Sequence, residues 1–421
     1  MRVDGIRSRC EMTTAESVMD RPLFDPADPG FLADPYPAYR LLREHAPIWR
    51  APTGLWVLSR YADIAAVLKD ARFGHDFEGK LSDPRGRSEL LEEPVFQGLG
   101  LSMLVRDPPD HTRLRGLVAK AFTARRLETM RPKIAGLVEQ LLDAVEPHGR
   151  MDVIADFARP LPVLVICELL GIPEEDRPRF LTGYHVSGRA LDPTPMTREE
   201  LDAANENALR NRSYFEDLFE RRRDADGDDL ISALLHVRDE QDGRLTHDEL
   251  AANIGLLFGA GHETTTHLIG NGLLALNRNP DQWQKLVADP TLAPNAVEEL
   301  LRFDSSVQLT GRKAFEDVTL GEGTLVRRGE SVICLPGAAN RDPDVYPDPE
   351  ELDITRAGVR PLSFGGGIHH CLGAQLARIE GEIAFRRLAE RLPGLRLEDI
   401  EHPSWRPTVT LRGLTTLPAR W

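Results

Sequence analysis

The 421-residue chain has few cysteines and no long apolar run. Cys10, Cys167, Cys334 and Cys371 are widely scattered and form no Cys-x-x-Cys pair, which excludes a zinc knuckle and a dithiol redox motif. The apolar run Leu161–Cys167 ends far short of the roughly 20 residues that span a bilayer. The N-terminus also lacks the apolar core of a signal peptide.

The chain lacks an excess of basic residues. Its 52 Lys and Arg stand against 67 Asp and Glu, which gives a formal net charge of −15 and a pI near 5.4. Nucleic acids and anionic membranes bind net basic surfaces, so we expect neither as a partner. With 41% hydrophobic residues the composition is that of a globular protein. We therefore expect a cytoplasmic protein with no membrane association.

Hydrophobic periodicity predicts a mainly helical chain with a minor β portion. Apolar residues recur at helical spacing in four segments: Leu127–Val145, Val153–Leu170, Leu209–Arg222 and Leu230–Val237. Strand-like alternation dominates Arg312–Leu335, and short strands follow a final helix that we place from Cys371 onward. Because no linker divides the chain, we predict one α+β domain over residues 25–421, preceded by a flexible segment over residues 1–24.

One predicted helix is long and has an unusual middle. Thr246 and Glu249 form a capping box, and the helix can run to about Asn277, a length of about 48 Å at 1.5 Å per residue. Residues 259–267 read Gly-Ala-Gly-His-Glu-Thr-Thr-Thr-His, where helix propensity favours Leu or Ala. Something other than helix stability therefore selected these residues.

Three interpretations of this segment compete. A zinc protease needs two His four residues apart, whereas His262 and His267 are five apart and point roughly 140° apart around the helix. A buried helix with incidental polar residues is the simplest alternative. In the third, the glycines open the helical hydrogen-bond ladder, and Glu263 and Thr264 hold water and pass protons to a bound group.

A second segment, Phe364–Arg378, is rich in glycine around Cys371. No Gly-Lys-Ser/Thr follows the glycines, which argues against a phosphate-binding loop. Cys371 stands where loop becomes helix, and there the helix dipole favours the thiolate that a soft metal ligand requires. Phe364 and Gly373 suit a flat cofactor over the sulfur, since one supplies an apolar wall and the other lacks a side chain.

These segments make the chain resemble the cytochrome P450 family over nearly its whole length, from about residue 25. The haem signature Phe-x-x-Gly-x-His-x-Cys-x-Gly is met in full by Phe364, Gly367, His369, Cys371 and Gly373. Three further family elements follow the expected order: Ala260, Gly261, Glu263 and Thr264 on the long helix, Glu299 and Arg302 in Glu-x-x-Arg, and the run Ala339–Pro343.

The resemblance implies haem b as the cofactor and a role for each matching residue. Cys371 becomes the thiolate ligand of the iron, and Thr264 and Glu263 deliver protons. Residues expected to hold or contact the haem are His369, Arg312, His111, Arg115, Phe364, Gly365, Gly373 and Ala260. Asp107 is expected to cap the helix that carries His111 and Arg115.

Other matches are structural, and two positions depart from the family pattern. Glu299, Arg302 and Arg356 are expected to form a buried ionic network that braces the fold. Pro361 stands where many bacterial members have a His, so we expect one haem contact fewer. Leu352 replaces the usual Phe.

The implied activity is that of a bacterial-type haem-thiolate monooxygenase, which inserts one atom of O₂ into a hydrophobic small molecule by hydroxylation or epoxidation. A haem protein that binds or senses without turnover is the alternative. Electrons are expected from an external ferredoxin and ferredoxin reductase, which dock on a basic patch that includes Arg113 and Arg378. A monomer is expected. Substrate-lining regions are expected at Phe77–Met103, Phe180–Thr197, Leu256–Ala260 and Val307–Thr310.

Overall fold

The computed structural model describes residues 24–421, apart from residues 27, 78–87, 182–186, 224–226, 228, 241–244 and 322. Helices make up most of the described chain. They are α1 (Pro29–Ala33), α2 (Tyr36–His45), α3 (Tyr61–Lys69), α4 (Pro94–Gly100), α5 (Asp110–Ala121), α6 (Ala124–Thr129), α7 (Arg131–Val145), α8 (Pro160–Leu170), α9 (Pro178–Leu181), α10 (Arg198–Arg222), α11 (Leu230–Glu240), α12 (His247–Arg278), α13 (Pro280–Ala288), α14 (Ala293–Phe303), α15 (Pro336–Ala339) and α16 (Ala374–Arg391). The predicted flexible segment over residues 1–24 lies outside the described residues except for Phe24.

The strands form three small sheets. They are β1 (Ile48–Arg50), β2 (Trp56–Leu58), β3 (Phe73–Gly74), β4 (Arg150–Asp152), β5 (Thr310–Ala314), β6 (Val318–Leu320), β7 (Thr324–Val326), β8 (Ser331–Cys334), β9 (Arg396–Leu397) and β10 (Pro418–Arg420). The largest sheet has the order β1-β2-β8-β5-β3, and the others are β4-β10-β9 and β6-β7. Strands β5 to β8 confirm the strand-like alternation seen over residues 312–335.

The long helix α12 lies at the centre of the molecule and packs against α8, α10, α14 and α16. Its N-terminal capping box is confirmed: Glu249 N–H donates to Thr246 Oγ1 (3.1 Å), and Thr246 N–H donates to the Glu249 carboxylate (2.9 Å). The larger apolar core surrounds α12, and a second core lies under the five-stranded sheet. No helix in the described part of the chain is long and apolar enough to cross a membrane.

Several predicted helix boundaries are wrong, chiefly where proline intervenes. Residues 127–145 form two helices because Pro132 stands in the first turn of α7, where its missing N–H costs nothing. Pro160 likewise begins α8 after a π-helical turn, Val153–Ala158. The final helix starts at Ala374, three residues later than expected, because Cys371 N–H donates to the Phe364 carbonyl inside the preceding loop (2.9 Å).

The expected role of Asp107 as a helix cap is also wrong. Helix α5 begins at Asp110 and has no side-chain cap. The Asp107 carboxylate instead accepts backbone N–H groups from His75 (2.8 Å) and Asp76 (2.9 Å), which tie the end of β3 to the start of α5. His111 still lies one helical turn before Arg115, so both remain on one face of α5.

The predicted buried ionic network of Glu299, Arg302 and Arg356 is confirmed. Glu299 and Arg302 are completely buried, and Arg302 Nε and Nη2 each donate to the carboxylate at 2.7 Å. Arg356 Nε adds a contact of 3.3 Å. Further donors of Arg302 reach the backbone carbonyls of Asn340, Pro349 and Glu351. Because Asn340 also binds Leu362 N–H (2.7 Å), the network supports the loop that leads to Cys371.

Candidate active site

A cavity of about 1500 Å³ lies between the middle of α12 and the loop that carries Cys371. Ala260, Glu263 and Thr264 line it from α12, and Cys371 and Leu372 line it from the loop. Further lining comes from Phe364, Gly365, His369, Gly373, Arg115 and Arg312. The structure thus brings predicted residues from four separate segments of the chain to one cavity.

The Cys371 loop is built from two short 3₁₀ turns, Leu362–Phe364 and Gly367–His369. Gly365 and Gly367 adopt φ angles of +68° and +63°, which favour glycine. A Cβ atom on Gly367 would lie only 2.0 Å from the carbonyl oxygen of Leu68 on α3. The glycines therefore allow the loop to turn sharply while its backbone packs directly against a helix.

Around the sulfur, Phe364 and Gly373 occupy the places that the sequence suggested. The Phe364 ring lies beneath the Arg378 guanidinium, 4.5 Å from its central carbon to the ring centroid. A Cβ atom on Gly373 would stand 3.9 Å from Cys371 Sγ. The thiol is exposed where it lines the cavity, whereas Cys167 and Cys334 are buried.

The expected stabilisation of a Cys371 thiolate is only partly present. The cavity walls shield the Cys371 thiol from bulk solvent, and this desolvation raises its pKa. The Gly373 N–H, Arg115 and Arg378 lower the same pKa. Because α16 begins three residues beyond Cys371, its dipole acts weakly on the sulfur. The bare chain thus favours the thiol, and metal binding would have to release its proton.

Three imidazoles and two guanidinium groups, those of Arg115 and Arg312, cluster at one edge of the cavity, and all of them except the His111 ring line it. The rings of His111 and His369 lie 4.1 Å apart between centroids, and His75 packs edge-on against His369 at 4.5 Å. Burial, followed by the nearby charges of His111, Arg312 and Arg115, lowers the pKa of His369 to about 3. Burial also lowers the pKa of His111 and of Arg312.

This cluster fits an anionic ligand. Both ring nitrogens of His111 and Nε2 of His369 are buried without a hydrogen-bond partner among the described residues. Buried Arg312 donates to Thr310 Oγ1 (2.9 Å) and the Gly311 carbonyl (2.8 Å), and forms no ion pair with a described carboxylate. Two carboxylates, such as those of haem, would satisfy these donors.

On α12, Thr264 and Glu263 face the cavity in different ways. Helix α12 is continuous from His247 to Arg278, so the predicted opening of its hydrogen-bond ladder produces no break. The Thr264 hydroxyl instead donates to the Ala260 carbonyl (3.1 Å). Glu263 is 6% exposed, and burial raises the pKa of its carboxyl group.

Sequence reasoning missed the partners of Glu263. Arg406 Nη2, from the C-terminal segment, lies 2.8 Å from Glu263 Oε1, and the backbone N–H of Gly188 also binds the carboxylate. Both the ion pair and the N–H contact oppose the effect of burial on the Glu263 pKa. No local sequence pattern predicts Arg406 as a partner of Glu263, because the two residues lie more than a hundred positions apart along the chain.

The four regions predicted to line the substrate pocket each reach the cavity. Each of the four contributes cavity-lining residues, among them Phe77, Leu191, Leu256 and Val307. Residues 78–87 and 182–186 within those regions lie outside the described chain. One wall was missed: helix α10 adds a face that includes Ala204, Asn207, Ala208, Asn211 and Phe215.

The basic patch expected from Arg113 and Arg378 is not formed by these two residues. Arg113 binds Glu249 (2.5 Å) and Asp110 (3.1 Å), and Arg378 forms an ion pair with Glu298. Their charges are thus balanced locally. Sequence reasoning missed Glu249 and Glu298 as partners because they belong to α12 and α14, which are distant in sequence from Arg113 and Arg378.

Comparisons with known proteins agree with this geometry. The family model described as "Cytochrome P450" matches residues 206–392. The "Putative cytochrome P450 133B2" of Xylella fastidiosa is 40% identical over 397 residues, which cover 94% of this chain and 98% of that protein. The "Vitamin D(3) 25-hydroxylase" of Pseudonocardia autotrophica is 42% identical over 393 residues, covering 92% of this chain and 94% of that protein.

A solved structure has the same fold. The crystal structure of P450BioI in complex with an acyl carrier protein ligated to hexadec-9Z-enoic acid superposes with a TM-score of 0.85 at 39% identity, covering 94% of this chain and all of that one. The predicted α+β fold is thereby confirmed. The chain belongs to the bacterial cytochrome P450 family and is a monooxygenase with haem b as its cofactor.

Proposed function

We propose that the cavity binds haem b with Cys371 as the ligand to its iron. Arg115, Arg312 and His369, which line one edge of the cavity, would hold the haem carboxylates together with buried His111, whose ring packs against His369. Phe364, Gly365, Gly373 and Ala260 would contact the ring. The observation that carries this proposal is that a single cavity joins the thiol, the cluster of donors and the acid–alcohol pair of α12.

Bound haem supplies the activation of O₂, by which one oxygen atom enters the substrate and the other leaves as water. Glu263 and Thr264 deliver the protons that this reaction consumes. The Glu263 carboxyl holds a proton readily because burial raises its pKa. The Thr264 hydroxyl can pass a proton onward if it releases the Ala260 carbonyl, to which it donates at 3.1 Å.

The substrate is a medium to large hydrophobic molecule. Most cavity-lining side chains are apolar, and the volume of about 1500 Å³ exceeds the roughly 300–1,000 Å³ of ordinary ligand pockets. Part of this volume would be filled by haem. Asn207 and Asn211 on α10 add polar groups to the wall, which suits a substrate with a few oxygen functions.

Electrons come from an external ferredoxin and its reductase. The surface beside the Cys371 loop exposes Ile368 (50%) and His370, and Arg115 Nη2 binds the His370 carbonyl (2.5 Å). Exposed Lys69 at the end of α3 and Lys120 on α5 provide positive charge for an acidic partner. We propose that the enzyme works as a cytoplasmic monomer.

Replacing the sulfur tests the assignment of Cys371. Cys371→Ser is expected to lose the far-shifted Soret band of the reduced CO complex, while Cys167→Ser, a buried cysteine away from the cavity, keeps it. An unchanged band in Cys371→Ser would refute the proposal.

Replacing the alcohol tests proton delivery. Thr264→Ala is expected to consume reduced cofactor while releasing hydrogen peroxide, with coupling to product lowered by about 10²-fold or more. Thr266→Ala is the matched control, because its hydroxyl makes the same type of bond, to the His262 carbonyl (2.9 Å), but does not line the cavity. Parental coupling in Thr264→Ala would contradict the assignment. If the haem-loaded protein consumed no O₂, this result would instead favour a protein that binds or senses without turnover.

A further inference from the structure

Two segments that line the cavity meet at the Glu263 carboxylate. Arg406 Nη2 approaches Oε1 at 2.8 Å, and Gly188 donates its backbone N–H. The fit at Gly188 is close, because a Cβ atom there would lie 2.5 Å from Glu263 Oε2 and 2.7 Å from a methyl carbon of Leu411. The acid of α12 is thus held from outside its own helix.

The same two segments are joined to each other by Asp192. Its side chain is fully buried, and Oδ2 accepts the backbone N–H groups of Val409 (2.7 Å) and Thr410 (3.0 Å). The Thr410 hydroxyl in turn donates to the Leu191 carbonyl (3.1 Å). We call these three bonds the Asp192 clamp. Movement of either segment is therefore transmitted to the other.

Both joined segments face the space that a substrate would occupy. Gly188, Leu191 and Thr194 line the cavity from one segment, and Thr410 and Leu411 line it from the other. A molecule bound in this part of the cavity contacts one or both segments. Because Arg406 and Gly188 contact the Glu263 carboxylate directly, a shift of either segment changes the distances to that carboxylate.

We propose that Arg406 and Asp192 are positioning residues that couple the contents of the substrate pocket to Glu263. Arg406 forms the ion pair with the Glu263 carboxylate. Through the Asp192 clamp, the geometry of this ion pair depends on what contacts residues 188–194 and 410–411. The inference rests on the proposed role of Glu263 in proton delivery and adds its control by the substrate. Proton delivery thereby depends on whether the pocket is filled.

The electrostatics give this inference a measurable sign. The described polar groups that face the Glu263 carboxylate from neighbouring elements are the Arg406 guanidinium and the neutral N–H of Gly188. Arg406 favours the ionised carboxylate, so its removal raises the pKa of Glu263 further. Lysine at position 406 would keep the charge.

The first experiment follows the pH dependence of uncoupling in the holoenzyme. With ferredoxin, reductase and myristic acid as the pocket-filling probe, the fraction of consumed O₂ recovered as hydrogen peroxide is measured from pH 6 to pH 9. Glu263→Gln is expected to abolish the pH-dependent transition in the peroxide fraction. Arg406→Gln is expected to keep the transition and to raise its midpoint by about one pH unit. Arg406→Lys is expected to restore the parental midpoint. An unmoved midpoint in Arg406→Gln would overturn the role of Arg406.

The same measurement separates this inference from the proposed function. If Glu263→Gln changes neither the peroxide fraction nor its pH dependence, the role of Glu263 in proton delivery fails. If Glu263→Gln removes the transition but its midpoint in the parent is the same with and without myristic acid, only the coupling to pocket contents fails.

The second experiment tests the clamp without turnover. Hydrogen exchange of the Val409 and Thr410 amides is measured in the holoenzyme with and without econazole as a pocket-filling probe. Asp192→Asn is expected to speed their exchange about tenfold or more and to remove the effect of econazole on them. Asp289→Asn is the matched control, because Asp289 binds the N–H and hydroxyl of Thr291 just as Asp192 binds those of Thr194, but Thr291 does not line the cavity and Thr194 does. Parental exchange in Asp192→Asn, or the same change in Asp289→Asn, would overturn the clamp.

Discussion

The fold contains two buried glutamate–arginine pairs, Glu299–Arg302 and Glu263–Arg406, which differ in how many hydrogen-bond donors surround the carboxylate. Glu299 receives two bonds of 2.7 Å from Arg302, one from the Asp353 N–H (3.0 Å) and one from Arg356 (3.3 Å). Glu263 has one arginine at 2.8 Å and one backbone N–H, and it faces open space. The residue types are the same, but only the first pair is fully enclosed by donors.

The difference shows how one pair of residue types serves two purposes. A buried charge stabilises a fold only when its partners replace the water it lost, and the Glu299 network meets that condition. Glu263 keeps fewer partners, so burial raises the pKa of its carboxyl group and the proton can bind and leave. The enclosed pair is suited to support, and the open pair to proton transfer.

The largest effect is expected from breaking the enclosed pair. Arg302→Ala leaves the completely buried Glu299 without its main partner, and should lower the free energy of unfolding by about 3–5 kcal/mol. Arg406→Ala should cost clearly less, because Glu263 can take up a proton when its arginine is lost. Denaturant unfolding of both holoenzymes, followed by the Soret band and by far-UV circular dichroism, measures the difference. Equal losses would contradict the distinction between the two pairs.

A third buried carboxyl, that of Glu380, forms no ion pair with any described residue. Glu380 on α16 is 1% exposed and lines the cavity, its Oε2 has no partner among the described residues, and burial raises the pKa of its carboxyl group well above the usual range. The folded chain keeps a proton there that the unfolded chain releases above about pH 4.3. Stability should therefore fall as pH rises above that value.

Glu380→Gln should remove this pH-dependent cost. The free energy of unfolding of the variant relative to the parent is expected to increase steadily between pH 5 and pH 8. Denaturation midpoints at several pH values give the measurement, with Glu390→Gln at an exposed position of the same helix as the control for the loss of a carboxylate. A difference between variant and parent that does not change with pH would show that Glu380 ionises in the fold.

The smallest effect is expected from a surface pair of the same composition. Glu139 on α7 binds Arg387 and Arg391 (2.9 Å) of α16, and its side chain is 35% exposed. Solvent screens such pairs, so Glu139→Gln should change the free energy of unfolding by about 0–1 kcal/mol, and less at high salt. Denaturation at 0.05 M and 0.5 M NaCl checks this. A loss comparable to that of Arg302→Ala would show that burial is not what separates these pairs.

Local pattern predicted most of the fold and much of the site. The capping box at Thr246, the strands over residues 310–334 and the glycine-rich loop before Cys371 are written in consecutive residues, and each was confirmed. The start of α5 was misplaced because Asp107 binds the end of β3, which no local pattern records. The missed groups, Arg406 and helix α10, reach the cavity only through tertiary packing.

The packing of Gly367 sets where the sulfur stands. Its backbone touches the main chain of α3 with no room for a methyl group, and its carbonyl accepts the N–H of His370 (3.2 Å), the residue before Cys371. The position of the thiol relative to α3 is therefore fixed by main-chain atoms, which do not change with side-chain substitution. A protein bound against exposed Ile368 would therefore contact a rigid loop. The force of that contact would reach the sulfur without any rearrangement of the residues between them.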